Sequence, residues 1–566
     1  MPPEVDLDLP PTASVAPVRR AHSRLPRRSP RGADDAGGTT SDAPGPTTAP
    51  GAPAPTSRIR RFLRSDLGVG TMVGLAVFAV LLARNAYVLR GTVHLGGDEA
   101  NQFGTAWDAI TLRELRGNGS RIGFHHPGPG YLYVWGAADV LRRILGSPFG
   151  LDNWDLLATM AFVAAQLGAV AAIVRSHLGT FVHGAVVLVA LAVLSSASPG
   201  ILAGPWLPFL FLTSFTLMIV AGASAAAGRP WSLVAFAVSV GFLWHGHIAF
   251  TSFVGVAILA LLIAMWRTGE LSRTWHEARA ALWSAVGVLV LFAAPVVTYT
   301  LTGWPGELDK YWDYVQRSDT SHTVVQGARF ALQYWPGWSS WSRAAVLLAA
   351  LAGLAAASWW RRSRFGGFLV GAVVLMQLMV LQYAVNGVDD LSFSYVALFS
   401  YSLPALTIGV TAALLVPRRI VLPTQVVPRV ALGAAFAGVL LVGITSPSTR
   451  YRPPLFQGTD GVVDHLEQVA DGRVIAIDAP VEVLGTYWVV PAVVSDLQDR
   501  GERVCLIGAG WEIKYSERIM CDAAERRDGA RFTFFPADQP LPAAAAAAHR
   551  TGYQTAIVVD GAVPRS

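Results

Sequence analysis

"SRIRRFLRSDLGVGTMVGLAVFAVLLARNAYVL", residues 57–89, sets a cluster of arginines against a long apolar run. Crossing the hydrocarbon core as a helix takes about 20 apolar residues, and 67–89 meets that length. A secretory signal has a shorter core near the N-terminus and a small-residue cleavage site, so this run is predicted to be an uncleaved first span. The same rule marks ten further spans near 155–174, 181–198, 204–222, 231–247, 248–266, 281–301, 343–359, 366–384, 393–416 and 429–446. That makes a polytopic α-helical membrane protein of about eleven transmembrane helices.

Composition agrees. Of 566 residues, 52% are hydrophobic and only 14% charged, a balance that soluble domains of this size rarely show. Lysine occurs only at Lys310 and Lys514, so the positive charge is arginine, and the Ala, Gly and Pro content suggests a GC-rich genome of the actinobacterial kind. The net charge of +6 is small for the length and sits in short clusters, so nucleic acid is not an expected partner; the lipid bilayer is. Two cysteines, Cys505 and Cys521, exclude a cysteine-built zinc or iron–sulfur site.

The arginines order the spans. Arg58, Arg60, Arg61 and Arg64 on the cytoplasmic side make every second connection cytoplasmic. Those connections hold Arg175, Arg229, Arg267 with Arg273 and Arg279, "WWRRSR" (359–364) and "PRRIVLPTQVVPR" (417–429), as the positive-inside rule requires. The organisation expected is a disordered cytoplasmic tail over 1–57, a multi-span domain over 58–450 and an extracytoplasmic α/β domain over 451–566, all in the plasma membrane. In that last segment "RVIAIDA" (473–479), "RVCLIG" (503–508), "FTFFPA" (532–537) and "TAIVVDG" (555–561) read as strands. Outside the membrane Cys505 and Cys521 can pair, although a lone Cys505 on a core strand is equally ordinary. "LIGAGWEI" (506–513) has Gly508 and Gly510 but lacks the third glycine of a dinucleotide fingerprint, and NAD is rejected.

Against this frame stands "HLGGDEANQFG" (94–104). At the bilayer centre Asp98 and Glu99 would each cost roughly 2.5–3.5 kcal/mol, so the pair belongs at the water boundary. Phe103, Trp107 and Ile110 then follow at i, i+4 and i+7, the stripe of a helix lying flat in the interface. "FHHPGPGYLYVWGAADVLRRILG" (124–146) is read as a second interfacial helix of this first outer loop. As isolated features the carboxylates are ordinary solvated charges at a helix N-terminus. Their company on the same face argues for more. His125 and His126 open the second element, and His245 and His247 sit at an outer turn in "FLWHGHIAF" (242–250). Asp309, Lys310, Tyr311 and Trp312 occupy the loop 303–322, and Asp389 and Asp390 the turn 386–394. A pocket for a sugar and a phosphate needs these carboxylates, cations and aromatic faces.

The Asp98–Glu99 pair after the first span, the interfacial helices, "HHPGPGYLY" (125–133) and the many-span body with an outer C-terminal domain resemble the GT-C membrane glycosyltransferases. The nearest branch is that of protein mannosyltransferases and aminoarabinose or arabinofuranosyl transferases. That segment often has consecutive prolines in the family; here Gly128 separates Pro127 from Pro129. The resemblance implies a polyprenyl-phosphate sugar donor, an envelope glycan or protein acceptor outside, and Asp98 as general base. Glu99, Arg121, His125, His126, His245, His247, Lys310 and Tyr311 are the substrate-binding candidates. For the lipid phosphate, Lys310 stands first because lysine is otherwise almost absent; as structure alone it reads as an interface-snorkelling side chain. The residues demand no cofactor, and a divalent cation, Mg²⁺ or Mn²⁺, is expected only as a bridge between phosphate and Glu99. His245 and His247 chelate only if the helix breaks at Gly246, and otherwise cap a span end. Two other readings stand beside this one. A transporter or flippase for a lipid-linked envelope precursor favours ionisable groups inside spans. A non-catalytic membrane scaffold leaves Asp98 replaceable.

Overall fold

The computed structural model describes residues 61–62, 65–317, 321–417, 441–452, 458–541, 543, 550–553 and 556–561. The tail expected over 1–57 and most of the span expected at 429–446 lie outside the described residues.

The membrane body is helical. In chain order it comprises α1 (Asp66–Arg84), α2 (Gly97–Ile110), α3 (Gly130–Leu145), α4 (Leu151–Leu178), α5 (Phe181–Leu194), α6 (Leu207–Ala226), α7 (Ser232–Gly246) and α8 (Phe250–Arg267). The short α9 (Glu270–Glu277) precedes α10 (Arg279–Thr302), α11 (Glu307–Arg317), α12 (Val324–Leu332), α13 (Ser340–Trp360), α14 (Arg364–Asn386) and α15 (Ser402–Leu415). Among the described residues, eight helices are long and apolar enough to cross a membrane, the last running over Ser394–Leu415. Phe181–Leu194 and Ser232–Gly246 are apolar but shorter. Ten of the eleven expected span positions therefore carry an apolar helix. α6 is enclosed on nearly every side, whereas α10 and α13 turn Leu291, Leu301 and Leu348 outward. Apolar side chains pointing out of a bundle are what lipid, and not water, accommodates. Small residues let the helices close up: Gly70 and Gly74 of α1 rest on Ala164 and Gly168 of α4.

The C-terminal part adds α16 (Thr459–Ala470), α17 (Leu484–Arg500), α18 (Trp511–Lys514) and α19 (Ala523–Asp528) to a five-stranded sheet. The strands are β1 (Ile475–Asp478), β2 (Val504–Ile507), β3 (Ala530–Pro536), β4 (Arg550–Tyr553) and β5 (Ala556–Asp560), in the order β2-β1-β3-β5-β4. β1 runs parallel to β2 and β3, while β5 is antiparallel to β3 and β4. All four strands read from the sequence are present; β4, short and without an apolar run, was not foreseen. Cys505 and Cys521 form a disulfide.

One expectation needs correcting. α2 does not lie flat with its polar side in water, because it is packed between α3 and α17. Phe103 meets Trp135 edge-on at 5.3 Å, and the opposite face, with Asn101, Gln102 and Thr105, is buried as well. Only Trp107 of the expected stripe is exposed, and Arg143 covers its ring at 4.3 Å.

Candidate functional site

Asp98 and Glu99 open α2, and consecutive helical residues point about 100° apart, so the pair divides. Gly97 makes this start possible: its φ of +57° is costly for other residues, and the Trp488 ring occupies the place a Cβ would take. The Asp98 carboxylate accepts a hydrogen bond from the Tyr487 hydroxyl on α17 and one from Trp206 Nε1 at 3.2 Å. It faces a cavity of about 670 Å³. Glu99 turns the other way, is buried, and accepts from the Tyr451 hydroxyl at 2.9 Å. Burial pushes the Glu99 carboxyl up to about 7, the Tyr451 bond opposing and the Asp98 charge reinforcing that shift. Glu99 does not line the cavity, so this geometry does not offer the cation bridge expected of it.

The segment 117–126 forms one wall as a tight hairpin. Gly117 N–H donates to His126 O at 2.8 Å, and His126 N–H to Asn118 O at 2.9 Å. Extended backbone alternates side chains, so the two histidines face opposite ways. His125 goes to the buried Glu307, which accepts its backbone N–H at 2.9 Å and lies 3.2 Å from its Nδ1. Lys310 donates to the same carboxylate at 2.9 Å, and Arg116 stands 3.5 Å away. Burial alone would raise Glu307, but the bonds from His125 and Lys310 outweigh it and hold the carboxyl at about 2. Tyr311 closes this corner by donating to His125 O at 2.5 Å.

His126 faces the cavity, where α7 ends at Gly246 and the chain turns extended at His247. The helix does break there, as chelation would need, yet the partner His247 meets is His126, with ring centroids 4.4 Å apart. Burial first, and mutual repulsion second, keep the His126 imidazole well below its ordinary range; burial, then Arg121, bring His247 down to about 4. Both rings are therefore neutral near pH 7. Among the described residues, His126 Nδ1 is buried without a hydrogen-bond partner. His245 points elsewhere, with Nε2 2.6 Å from the carbonyl of Phe292. Arg121, at the hairpin tip, pairs with Asp389 and lies 4.6 Å over the Phe393 ring.

Of the predicted residues, Asp98, Arg121, His126, His247 and Tyr311 line one cavity; Glu99, His125, His245 and Lys310 do not. Trp206, Tyr487, Glu307 and Lys514 also belong to the site, though no sequence motif marks them. Lys514 carried a signal, since it is the second of only two lysines. It lines the cavity 5.0 Å over the Tyr487 ring, whereas Lys310 is taken up by Glu307.

A second, apolar cavity of about 310 Å³ is lined by α6, α7, α8 and α14. The polar cavity touches Thr251 and Ser252 at one end of α8 and Gln382, Tyr383 and Asn386 at one end of α14. The apolar one touches Ala257, Ala260 and Ala264 further along α8, and Gly371 and Leu375 on α14. Among the described residues, the acid–imidazole group close enough to hold a metal ion is His94, Asp460 and Asp496, and Arg500 already bridges its two carboxylates. Compared with protein-family models and with curated proteins, the chain finds no match in either.

Proposed function

We propose that this protein is a membrane glycosyltransferase of the GT-C kind, moving a sugar from a polyprenyl-phosphate donor to a hydroxyl on an envelope glycan or protein. The observation that carries this reading is the Asp98 carboxylate, oriented by two hydrogen bonds and open to a cavity of about 670 Å³. That volume is in the range of small-molecule sites, and its walls combine a carboxylate, cations, neutral imidazoles and tyrosine rings. The separate apolar cavity, which like the polar one is lined by α8 and α14, suits part of the isoprenoid chain of such a donor.

In the reaction Asp98 accepts the proton of the acceptor hydroxyl as its oxygen bonds to the anomeric carbon. The bond from that carbon to the phosphate oxygen breaks, and its electron pair leaves on the phosphate. Tyr487 and Trp206 hold the carboxylate in one orientation, which is how a base is kept within reach of its proton. The site faces the outer leaflet, with the N-terminus cytoplasmic and the sheet outside. Glu99 stands away from the cavity and takes no part in this step.

The test is purified protein in lipid, incubated with labelled prenyl-linked sugar donors. Asp98→Asn is expected to slow transfer about 10²–10⁴-fold with an unchanged thermal unfolding profile. Full activity in that variant overturns the assignment. Donor carried between leaflets without transfer points to a flippase, and neither outcome in the parent protein points to a scaffold.

A further inference from the structure

Resting on that reading, we propose that Lys514, presented by a disulfide-closed loop of the C-terminal sheet, is the cation that engages the phosphate of the lipid-linked donor. Among the described residues, two cationic side chains, Arg121 and Lys514, line the cavity. Arg121 is committed to Asp389 and to the face of Phe393. Among the described residues, Lys514 makes no ion pair; its ammonium lies over the Tyr487 ring, the same ring whose hydroxyl donates to Asp98. Base and cation are thus referenced to one side chain. Burial pulls the Lys514 ammonium below its ordinary range, and the Asp98 charge pushes it back. A half-buried cation that feels the Asp98 charge but, among the described residues, makes no ion pair with it is open to pairing with an incoming anion.

The backbone around Lys514 is fixed on both sides. Cys505 and Cys521, 16 positions apart, close the loop that contains it. Trp511 is fully buried and its Nε1 donates to Ala479 O at 2.9 Å. The carbonyl of Ile513 presses on the hairpin at Gly119, where a Cβ would stand only 1.6 Å from the oxygen. Tyr515 lies against Gly104 of α2. The ammonium is therefore aimed by its backbone. As the sugar–phosphate bond breaks, negative charge grows on the phosphate, and a fixed point charge there stabilises it. Lipid-linked and free phosphate share this chemistry; the apolar side chains in the cavity wall, Leu207, Phe211, Ile248 and Val396 among them, favour the lipid.

The experiment measures binding of a long-chain polyprenyl phosphate, without sugar, to the full chain in phosphatidylcholine nanodiscs, with inorganic phosphate as competitor. The parent protein is expected to bind the lipid and to keep it in millimolar inorganic phosphate. Lys514→Gln is expected to weaken binding about tenfold or more, Lys514→Arg to retain most of it, with thermal unfolding verifying each fold. Should Lys514→Gln not fold, Lys514→Met, which keeps the stem, replaces it. Undiminished binding in the folded neutral variant overturns the role of Lys514 and leaves the donor reading intact. A parent protein that binds no polyprenyl phosphate overturns the donor reading and this inference together. Ready displacement by inorganic phosphate overturns the lipid as the source of the anion.

Discussion

The hydroxyl of Tyr487 donates to the carboxylate of Asp98 from 389 positions further along the chain. Tyr487→Phe keeps the ring beneath Lys514 and removes the hydroxyl, with it this donor and the long 3.5 Å bond it accepts from Asn101 Nδ2. Hydrogen bonds to charged groups are worth about 1.5–3 kcal/mol, so transfer is expected to slow roughly 10- to 100-fold. Thermal unfolding should barely move. An unchanged turnover rate would show that Asp98 needs no such support.

Glu99 sets a pH dependence of stability. Its carboxyl rises from 4.5 to about 7 in the fold, so the folded chain holds that proton more tightly than the unfolded chain. The contribution is complete below pH 4.5 and is lost as pH rises through about 7. Thermal unfolding temperatures are expected to fall across that window, and Glu99→Gln should flatten the slope. An identical slope in the variant would mean the titrating group is another.

Glu307 works in the opposite sense. Held at about 2 against an ordinary 4.5, it contributes stability above pH 4.5 that is lost as pH falls through about 2. Glu307→Gln strips His125, Lys310 and Arg116 of a common acceptor, and breaking a buried ion pair costs about 3–5 kcal/mol. Amide exchange at Gly117 and His126, whose bonds close the hairpin, should accelerate. Exchange rates equal to the parent's would sink the anchoring role.

Much of the body was legible because a helix that meets lipid must be apolar over its whole length. Hydropathy alone located α1, α4, α6, α8, α10, α13 and α14. Four strands were visible as short apolar runs between turn residues; β4 (Arg550–Tyr553) has no such run. The burial of α2 was not legible, since its cover, α17, begins at Leu484, and no local pattern near Phe103 encodes that contact.

At the site, legibility followed distance along the chain. Asp98 was found from its own neighbourhood. The split between His125 and His126 is a period-two property of extended backbone, but Glu307 as the reason for it is a tertiary fact. Scarcity flagged both lysines equally; composition gave no means of choosing Lys514 over Lys310, because the choice depends on which carboxylate lies within reach.

The seating of α17 on α2 also dictates an order of events during biosynthesis. Ribosomes deliver the helical bundle before Tyr487 and Lys514. Until α17 docks, a nascent bundle holds Asp98 without its tyrosine donor and without the ring over which Lys514 lies, so the proposed site is assembled only by the later-made part of the chain.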